Sequence, residues 1–468
     1  MNKRVAAVVF VVAFLAGCTV GPNYHRPAIP TPGSFRSSSP LPAGEAASLA
    51  DLKWWEVFKD PQLQELERTA LEQNYDLRDA VARVDAARAN LGITRSNQFP
   101  NVGATADINT VRLPLNGETP LPATLHQNRT FGEAALELLS FEVDIWGRLR
   151  RATEAARANL LSADENRKAV VTTLVSDVAA AYFSLRALDY QLDISRRTLA
   201  TRQASLELIQ SQRTGGVATL LDVRQGEELV YTASETIPEL QQQIEQTENQ
   251  INLLLGKNPG EVKRGRSETE QELPPEVPAG LPSALLERRP DIRAAEENLV
   301  AANAQIGVAK AAYFPQISLT GVAGGQGTQL STLFNGPNSA WSFVAQVTQP
   351  IFTAGRLKSN VRLTEAQQQS ALIQYEKTIQ TAFSEVSNAL IAHQRSRESR
   401  QQQELLVAAL EDRKRLAYLR YRGGVDTLLN ALDADRDLFQ AELNLSQIRL
   451  NELVSVVQLY KALGGGWQ

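Results

Sequence analysis

The sequence predicts a mainly α-helical chain with transmembrane β-strands, built by internal duplication from two long helical hairpins and two pairs of strands. Three observations carry this. A double-glycine segment, RGGVDTLLNALDA at residues 422–434, has a near-copy, TGGVATLLDVRQG, at residues 214–226. Apolar periodicity switches from helical to strict alternation and back, twice along the chain. Between these switches lie stretches of more than sixty residues without proline, carrying apolar residues at three-four spacing.

The N-terminus is a leader. MNKR is a basic n-region and VAAVVFVVAFLAG an apolar core, shorter than the roughly 20 apolar residues of a membrane span. It ends in LAGC, where Cys18 is the only cysteine. Residues 1–17 therefore read as a signal peptide and 18–61 as a segment anchored through Cys18. With one cysteine there is no disulfide within the chain. His25, His126 and His393 are isolated, so no metal site is expected. The 48 basic and 52 acidic residues give a net charge of −4, which argues against a nucleic-acid partner.

The duplication is legible at two offsets. LEQNYDLRDAVARVDAARANLGITRSNQFPNV, from Leu71, aligns without a gap to LERRPDIRAAEENLVAANAQIGVAKAAYFPQI, from Leu286, 215 residues later. Farther on the offset is 208: Gly147-Arg148-Leu149 meets Gly355-Arg356-Leu357, and Leu255-Gly256 meets Leu463-Gly464. The repeats span residues 62–256 and 281–464, joined by a linker at 257–280 and followed by a tail at 465–468. The offset changes between Pro315 and Gly355, which locates the insertion or deletion there.

Each repeat has the same order. A helix over about 62–97 ends at Phe99-Pro100, because a residue before proline avoids the α region. In NVGATADINT, Val102, Ala104, Ala106 and Ile108 alternate with Asn101, Gly103, Thr105 and Asp107, so one face is apolar and the other polar. A second strand is expected over about 131–146, the pair lying within 99–146; the second repeat carries its pair within 314–352. A helix from Gly147 to Arg213 follows, about 100 Å long at 1.5 Å per residue. It turns at 214–219, and its counterpart turns at 422–427. The glycines permit positive φ at the helix ends, and Thr219 and Thr427 are expected to cap the returning helices. Pro238 is expected to kink the first of these.

Four strands cannot close a barrel, and open edges are not tolerated in lipid. Two copies would supply eight strands and three would supply twelve, against a minimum of about eight. A coiled-coil scaffold lipoprotein, with strands in a small soluble domain and no pore, is the alternative.

The residues also carry a resemblance. The lipobox followed by CTVGPNYHRP, the WW of DLKWWEVFKDPQLQEL, LLERRPDIRAAE, YFPQISL and the ending LYKALGGGW resemble the TolC family of outer-membrane efflux channels, in its lipid-anchored OprM- or NodT-like branch. The resemblance covers nearly the whole chain. It implies a homotrimer whose twelve-stranded β-barrel crosses the outer membrane and whose helices form an α-barrel through the periplasm. It implies passive export of small molecules such as drugs, with a periplasmic adaptor and an inner-membrane RND pump as partners; a type I secretion duct shares the architecture. Cys18 would be lipid-modified, and Thr19 after it favours sorting to the outer membrane. The periplasmic gate maps onto Leu429, Asp433, Tyr421 and Asp222, with Leu429 and Asp433 at the constriction. The adaptor-contacting tips map onto Gly215, Gly216, Val217, Gly423, Gly424 and Val425. Asn101, Thr105 and Asp107 would line the pore. Asp426 and Asn430 depart from the arginine and acid of some relatives. Asp222, three residues after Thr219, equally suits a capping box; Leu429 suits seam packing and Asp433 a solvated face.

No enzyme is expected, and no cofactor. GGQG at 324–327 lacks the strand-then-helix setting of a phosphate loop, and nucleophile-elbow, Walker and HExxH patterns are absent.

Overall fold

Helical periodicity and proline placement set the order of elements in the computed structural model, which describes residues 19–36, 48–112, 114, 127–271 and 282–466. Cys18 and the leader lie outside the described residues, as do His126 and parts of the first strand loop and the linker. The longer elements are α1 (Pro61–Gln73), α2 (Tyr75–Ser96), β1 (Val102–Arg112), β2 (Asn128–Glu142), α3 (Arg148–Thr214) and α4 (Leu220–Leu254). The second series is α5 (Pro290–Ala311), β3 (Gln316–Gly327), β4 (Ser339–Thr348), α6 (Arg356–Arg422) and α7 (Leu428–Ala462). The chain divides into two compact units. One holds the strands, within residues 1–28, 83–163 and 295–375; the other is helical, within 29–82, 164–294 and 376–468.

In the strand unit, β1-β2-β3-β4 form one antiparallel sheet in chain order. Val102 pairs with Leu138 in the first hairpin and Ile317 with Val347 in the second. The strand expected over 131–146 is Asn128–Glu142 and contains a bulge between Leu138 and Phe141. The extra residue reverses the parity, so Leu136 and Leu138 share a face with Phe141. The repeats are consequently offset by 209 above the bulge and 208 below it.

In the helical unit, the helix expected over 62–97 is two helices. Asn74 breaks it with ψ 133°, a backbone angle outside the helix. Its Oδ1 accepts from Leu77 N at 2.9 Å, and its Nδ2 donates to the Leu254 carbonyl at 2.9 Å. Arg289, the equivalent 215 residues on, donates to the Ala462 carbonyl at 2.9 Å. Different side chains thus anchor the same helix terminus in each repeat. The core collects Leu63, Tyr182, Leu185, Ile251 and Leu459, all essentially without solvent contact. Seam residues Leu174, Val178, Leu185 and Leu192 of α3 are buried. α4 continues through Pro238 as one helix.

Two carboxylates mark the strain of this packing. Asp60 accepts from Tyr182, Gln271, Gln62 N and Arg266 N. Burial raises its pKa, but these donors outweigh it and hold the carboxyl below its usual range. Glu268 is pushed up to about 7, chiefly by burial, with the Ser446 hydroxyl at 3.1 Å and the charges of Arg449 and Arg186 opposing.

At both hairpin tips the helix ends in a Schellman motif, with Val217 N bonded to Gln212 O and Val425 N to Arg420 O. Only the second glycine of each pair uses positive φ: Gly216 at +74° and Gly424 at +68°. Gly216→Ala and Gly424→Ala are therefore expected to cost about 1–2 kcal/mol each. Gly215→Ala and Gly423→Ala, at helical angles with no close contact, are expected to be neutral or slightly stabilising, measured by melting in detergent. For Glu268, the folded pKa exceeds the unfolded one, so stability is lost as pH rises from about 4.3 to about 7. Glu268→Gln should remove a loss of about 3 kcal/mol at pH 8 and leave stability at pH 4 little changed, read from melts at the two pH values.

Candidate functional site: the hairpin tips and the two-faced sheet

The tips of the two hairpins share a small apolar core. Ile209 of α3, Val223 and Leu229 of α4, and Leu428 and Leu432 of α7 are buried together, with Leu206, Ala218 and Tyr421 packed on them. Leu428, Leu432, Asp435 and Phe439 recur at intervals of four, three and four, so they form the inward stripe of α7. Leu429 and Asp433 lie one position round the helix. Four residues apart, they share a face. Leu429 is 48% exposed; the Asp433 side chain is partly exposed, 3.2 Å from Arg436. That face of α7 is more exposed than the stripe of Leu428, Leu432 and Asp435 beside it.

Asp222 closes a capping box. Its carboxylate accepts from Thr219 N and from Thr219 Oγ1, both at 2.7 Å, while Asp222 N donates back to Thr219 Oγ1. The Tyr421 hydroxyl donates to Gln212 Oε1 at 2.9 Å, tying the second hairpin to the first. Burial raises the Tyr421 pKa, and the Asp222 charge adds to it. Asp222 and Tyr421 are thus coupled through the field and not by a direct hydrogen bond.

The second turn is organised differently from expectation. Thr427 makes no side-chain cap bond. Asp426 orders the turn instead: it accepts from Thr427 N at 2.8 Å, Asn430 Nδ2 at 2.6 Å and Arg420 Nε at 3.0 Å. The Arg420 hydrogen bond, followed by that from Asn430, holds its carboxyl below the usual range. The turn glycines Gly215, Gly216, Gly423 and Gly424 are exposed, as are Val217 and Val425, so each tip presents backbone and one aliphatic side chain.

The strongest tie near the tip was not recognised in the sequence. Arg202 of α3 donates from Nε to Asp435 of α7 at 2.7 Å and from Nη1 to the Leu229 carbonyl of α4 at 2.9 Å. Lys414 of α6 reaches the other Asp435 oxygen at 2.5 Å, and the guanidinium stacks on Phe439 at 4.9 Å. Both Arg202 and Asp435 are buried, so this knot joins all four helices. The signal was available: an acid on the apolar stripe of α7 requires a buried cation.

The sheet has two chemically distinct faces. Val102, Ile108, Leu136, Trp341, Phe343 and Val347 share one, each more than half exposed. Thr105 and Asp107 lie on the other with Glu133 and Glu137, at registers set by pairing; Asn101, just before β1, has the same parity. Thr105 Oγ1 donates to Glu137 at 3.0 Å, and Asp107 stands opposite Glu133.

The sequence profile described as outer membrane efflux protein matches residues 66–257 and 281–465. The toluene efflux pump outer membrane protein TtgC of Pseudomonas putida is 39% identical over 475 residues, covering 100% of this chain and 96% of that one. The solved outer-membrane channel OprN superposes with a TM-score of 0.89 at 30% identity, over 96% of this chain and 100% of that one. The open state of the MtrE outer membrane channel of Neisseria gonorrhoeae gives a TM-score of 0.87 at 33% identity, over 96% and 99%. Duplicated hairpins, a sheet with a wet and an apolar face, and these likenesses lead to one assignment: the chain belongs to the outer membrane efflux protein family and is an efflux channel of the bacterial outer membrane.

Proposed function

We propose that three copies of this chain form the exit duct of a tripartite efflux system, working with a periplasmic adaptor and an RND-type pump in the inner membrane. The observation that carries the reading is the sheet: four strands with two open edges, an apolar face exposed in the isolated chain, and a polar face opposite. Twelve such strands close a barrel whose outer face meets lipid and whose inner face, with Asn101, Thr105 and Asp107, holds water. Cys18 carries the lipid anchor. Solute moves passively down this conduit, the pump supplying the energy. The similarity to a toluene pump component supports small apolar compounds among the cargo.

Gating belongs to the tips. The exposed face of α7 turns toward the threefold axis, so Leu429 gives an apolar ring and Asp433 an acidic one. Gly215, Gly216, Val217, Gly423, Gly424 and Val425 meet the adaptor. Tyr421 and Asp222 set how firmly the second hairpin is held. The single Tyr421–Gln212 hydrogen bond is worth about 1 kcal/mol, within reach of a docking partner. The Arg202–Asp435–Lys414 knot is far costlier to break. It holds the hairpins together while the tips move.

Purified protein in a planar bilayer is expected to conduct, and Leu429→Ala with Asp433→Ala to raise both conductance and uptake of large antibiotics several-fold. A well-expressed protein that never conducts, including with both substitutions, would sink the channel reading. Asp435→Asn leaves the buried Arg202 and the partly exposed Lys414 without their carboxylate and is expected to destabilise the protein by about 3–5 kcal/mol, read by thermal melting. Replacing all three by Asp435→Leu, Arg202→Met and Lys414→Met should recover most of that loss.

A further inference from the structure

A cavity of about 570 Å³ opens inside the helical unit, between α3, the start of α5, α6 and the end of α7. Pockets that hold drug-sized molecules run from roughly 300 to 1,000 Å³. Most of its wall is aliphatic: Ala169, Pro290, Ala389, Ala392 and Ala462. Four charged side chains are set into that wall, Arg289, Asp291, Glu385 and Lys461.

Two of these charges are spent on each other. Arg289 Nε and Nη2 donate to the two oxygens of Asp291, at 3.0 and 2.6 Å. Nη1 donates to the Ala462 carbonyl at 2.9 Å, and the side chain is only 8% exposed. Asp291 Oδ1 also accepts from Ile292 N. The other two charges stay open. Glu385 meets Arg289 Nη2 at 2.7 Å through one oxygen, and its side chain is 48% exposed. The Lys461 ammonium lies 3.7 Å from Asp177, beyond hydrogen-bond length, and is 41% exposed. Glu385 and Lys461 each pair elsewhere and not with one another.

The duplication shows that the helix join does not require the two cations. Carried back by the offsets of 215 and 208, Arg289 is Asn74 and Lys461 is Leu253. Neutral Asn74 anchors the Leu254 carbonyl as Arg289 anchors that of Ala462. A buried guanidinium carries a desolvation cost that the amide avoids. The second repeat has it beside a cavity, where it holds Glu385 in the wall.

We propose that this cavity binds a zwitterionic amphiphile, with its apolar body on the alanine wall, its ammonium at Glu385 and its carboxylate at Lys461. The lining carries two cations and two anions, so it favours neither a lone cation nor a lone anion. A solute bearing both charges meets each open group. The proposal rests on the efflux reading and deepens it, naming a class of solute that pauses in the helical unit.

Equilibrium binding to the full-length protein in lipid nanodiscs tests it, read by fluorescence anisotropy. The probe is a quinolone carrying a piperazinium and a carboxylate. Its methyl ester lacks the anion, and its N-acetyl derivative lacks the cation. Saturable binding above that of empty nanodiscs is expected. One half-exposed charge pair is worth about fivefold, so the zwitterion should bind about fivefold tighter than either derivative. Lys461→Met should weaken the zwitterion about fivefold and leave the methyl ester unchanged. Glu385→Gln should do the same to the zwitterion and leave the N-acetyl derivative unchanged, whereas Lys461→Arg should retain all binding. Ala392→Phe fills the cavity from a partly exposed position and should abolish binding of all three probes, with circular dichroism unchanged. Absence of saturable binding, equal affinity for the three probes, or a zwitterion affinity unmoved by both charge substitutions would each overturn the site. Planar-bilayer conductance of the same preparation separates the two readings. A protein that conducts without binding loses the site and keeps the channel; one that binds without conducting keeps the site and loses the channel.

Discussion

A strand that crosses lipid has nowhere to place an unpaired N–H or C=O except against another strand. That constraint governs this chain. Among the described residues its four strands pair through three internal ladders and leave two edges, one on β1 and one on β4. The exposed Trp341 and Phe343 would be an aggregation hazard in water; in the proposed trimer they would meet lipid. The need to close them makes a chain of this length part of a larger cylinder. Doubling an ancestral unit does not escape the requirement; it only halves the number of copies needed.

The helical hairpins face a milder form of the same problem. Their buried stripes are satisfied inside the chain, as the apolar core around Tyr182 and Leu185 demonstrates. The face bearing Leu429 and Asp433 is more exposed. Stability therefore rises from the tip inward: exposed turns first, then one tyrosine hydrogen bond, then a desolvated charge cluster joining four helices. Under the proposed gating, weak ties at the tip and strong ones behind it suit an end that moves while the hairpins stay joined.

Much was readable because it depends on local physics. The offsets of 215 and 208, the alternation in NVGATADINT, the double-glycine turns and the proline-free runs each follow from short-range pattern. What escaped depended on partners distant in sequence. Asn74 breaks a helix without proline or glycine, because its side chain can cap α2 and bond the Leu254 carbonyl of another helix. The bulge after Leu138 shows in the sequence only as a change of parity. Thr427 looked like the cap since it matches Thr219, yet its hydroxyl makes no cap bond, and its backbone N donates to Asp426, one residue earlier, where Thr219 N donates to Asp222. Asp435 sat beside Asp433 in an acidic run, and nothing near it names Arg202.

The sequence by itself determined the duplicated plan, the position of the turns and the two-faced strands, because periodicity and turn chemistry act over a few residues. The tertiary structure alone decided which of two neighbouring leucines, Leu428 or Leu429, is buried, and which acid is locked by cations. Those choices turn on a rotation of about 100° per residue about one helix axis. Only packing against three other helices fixes that angle.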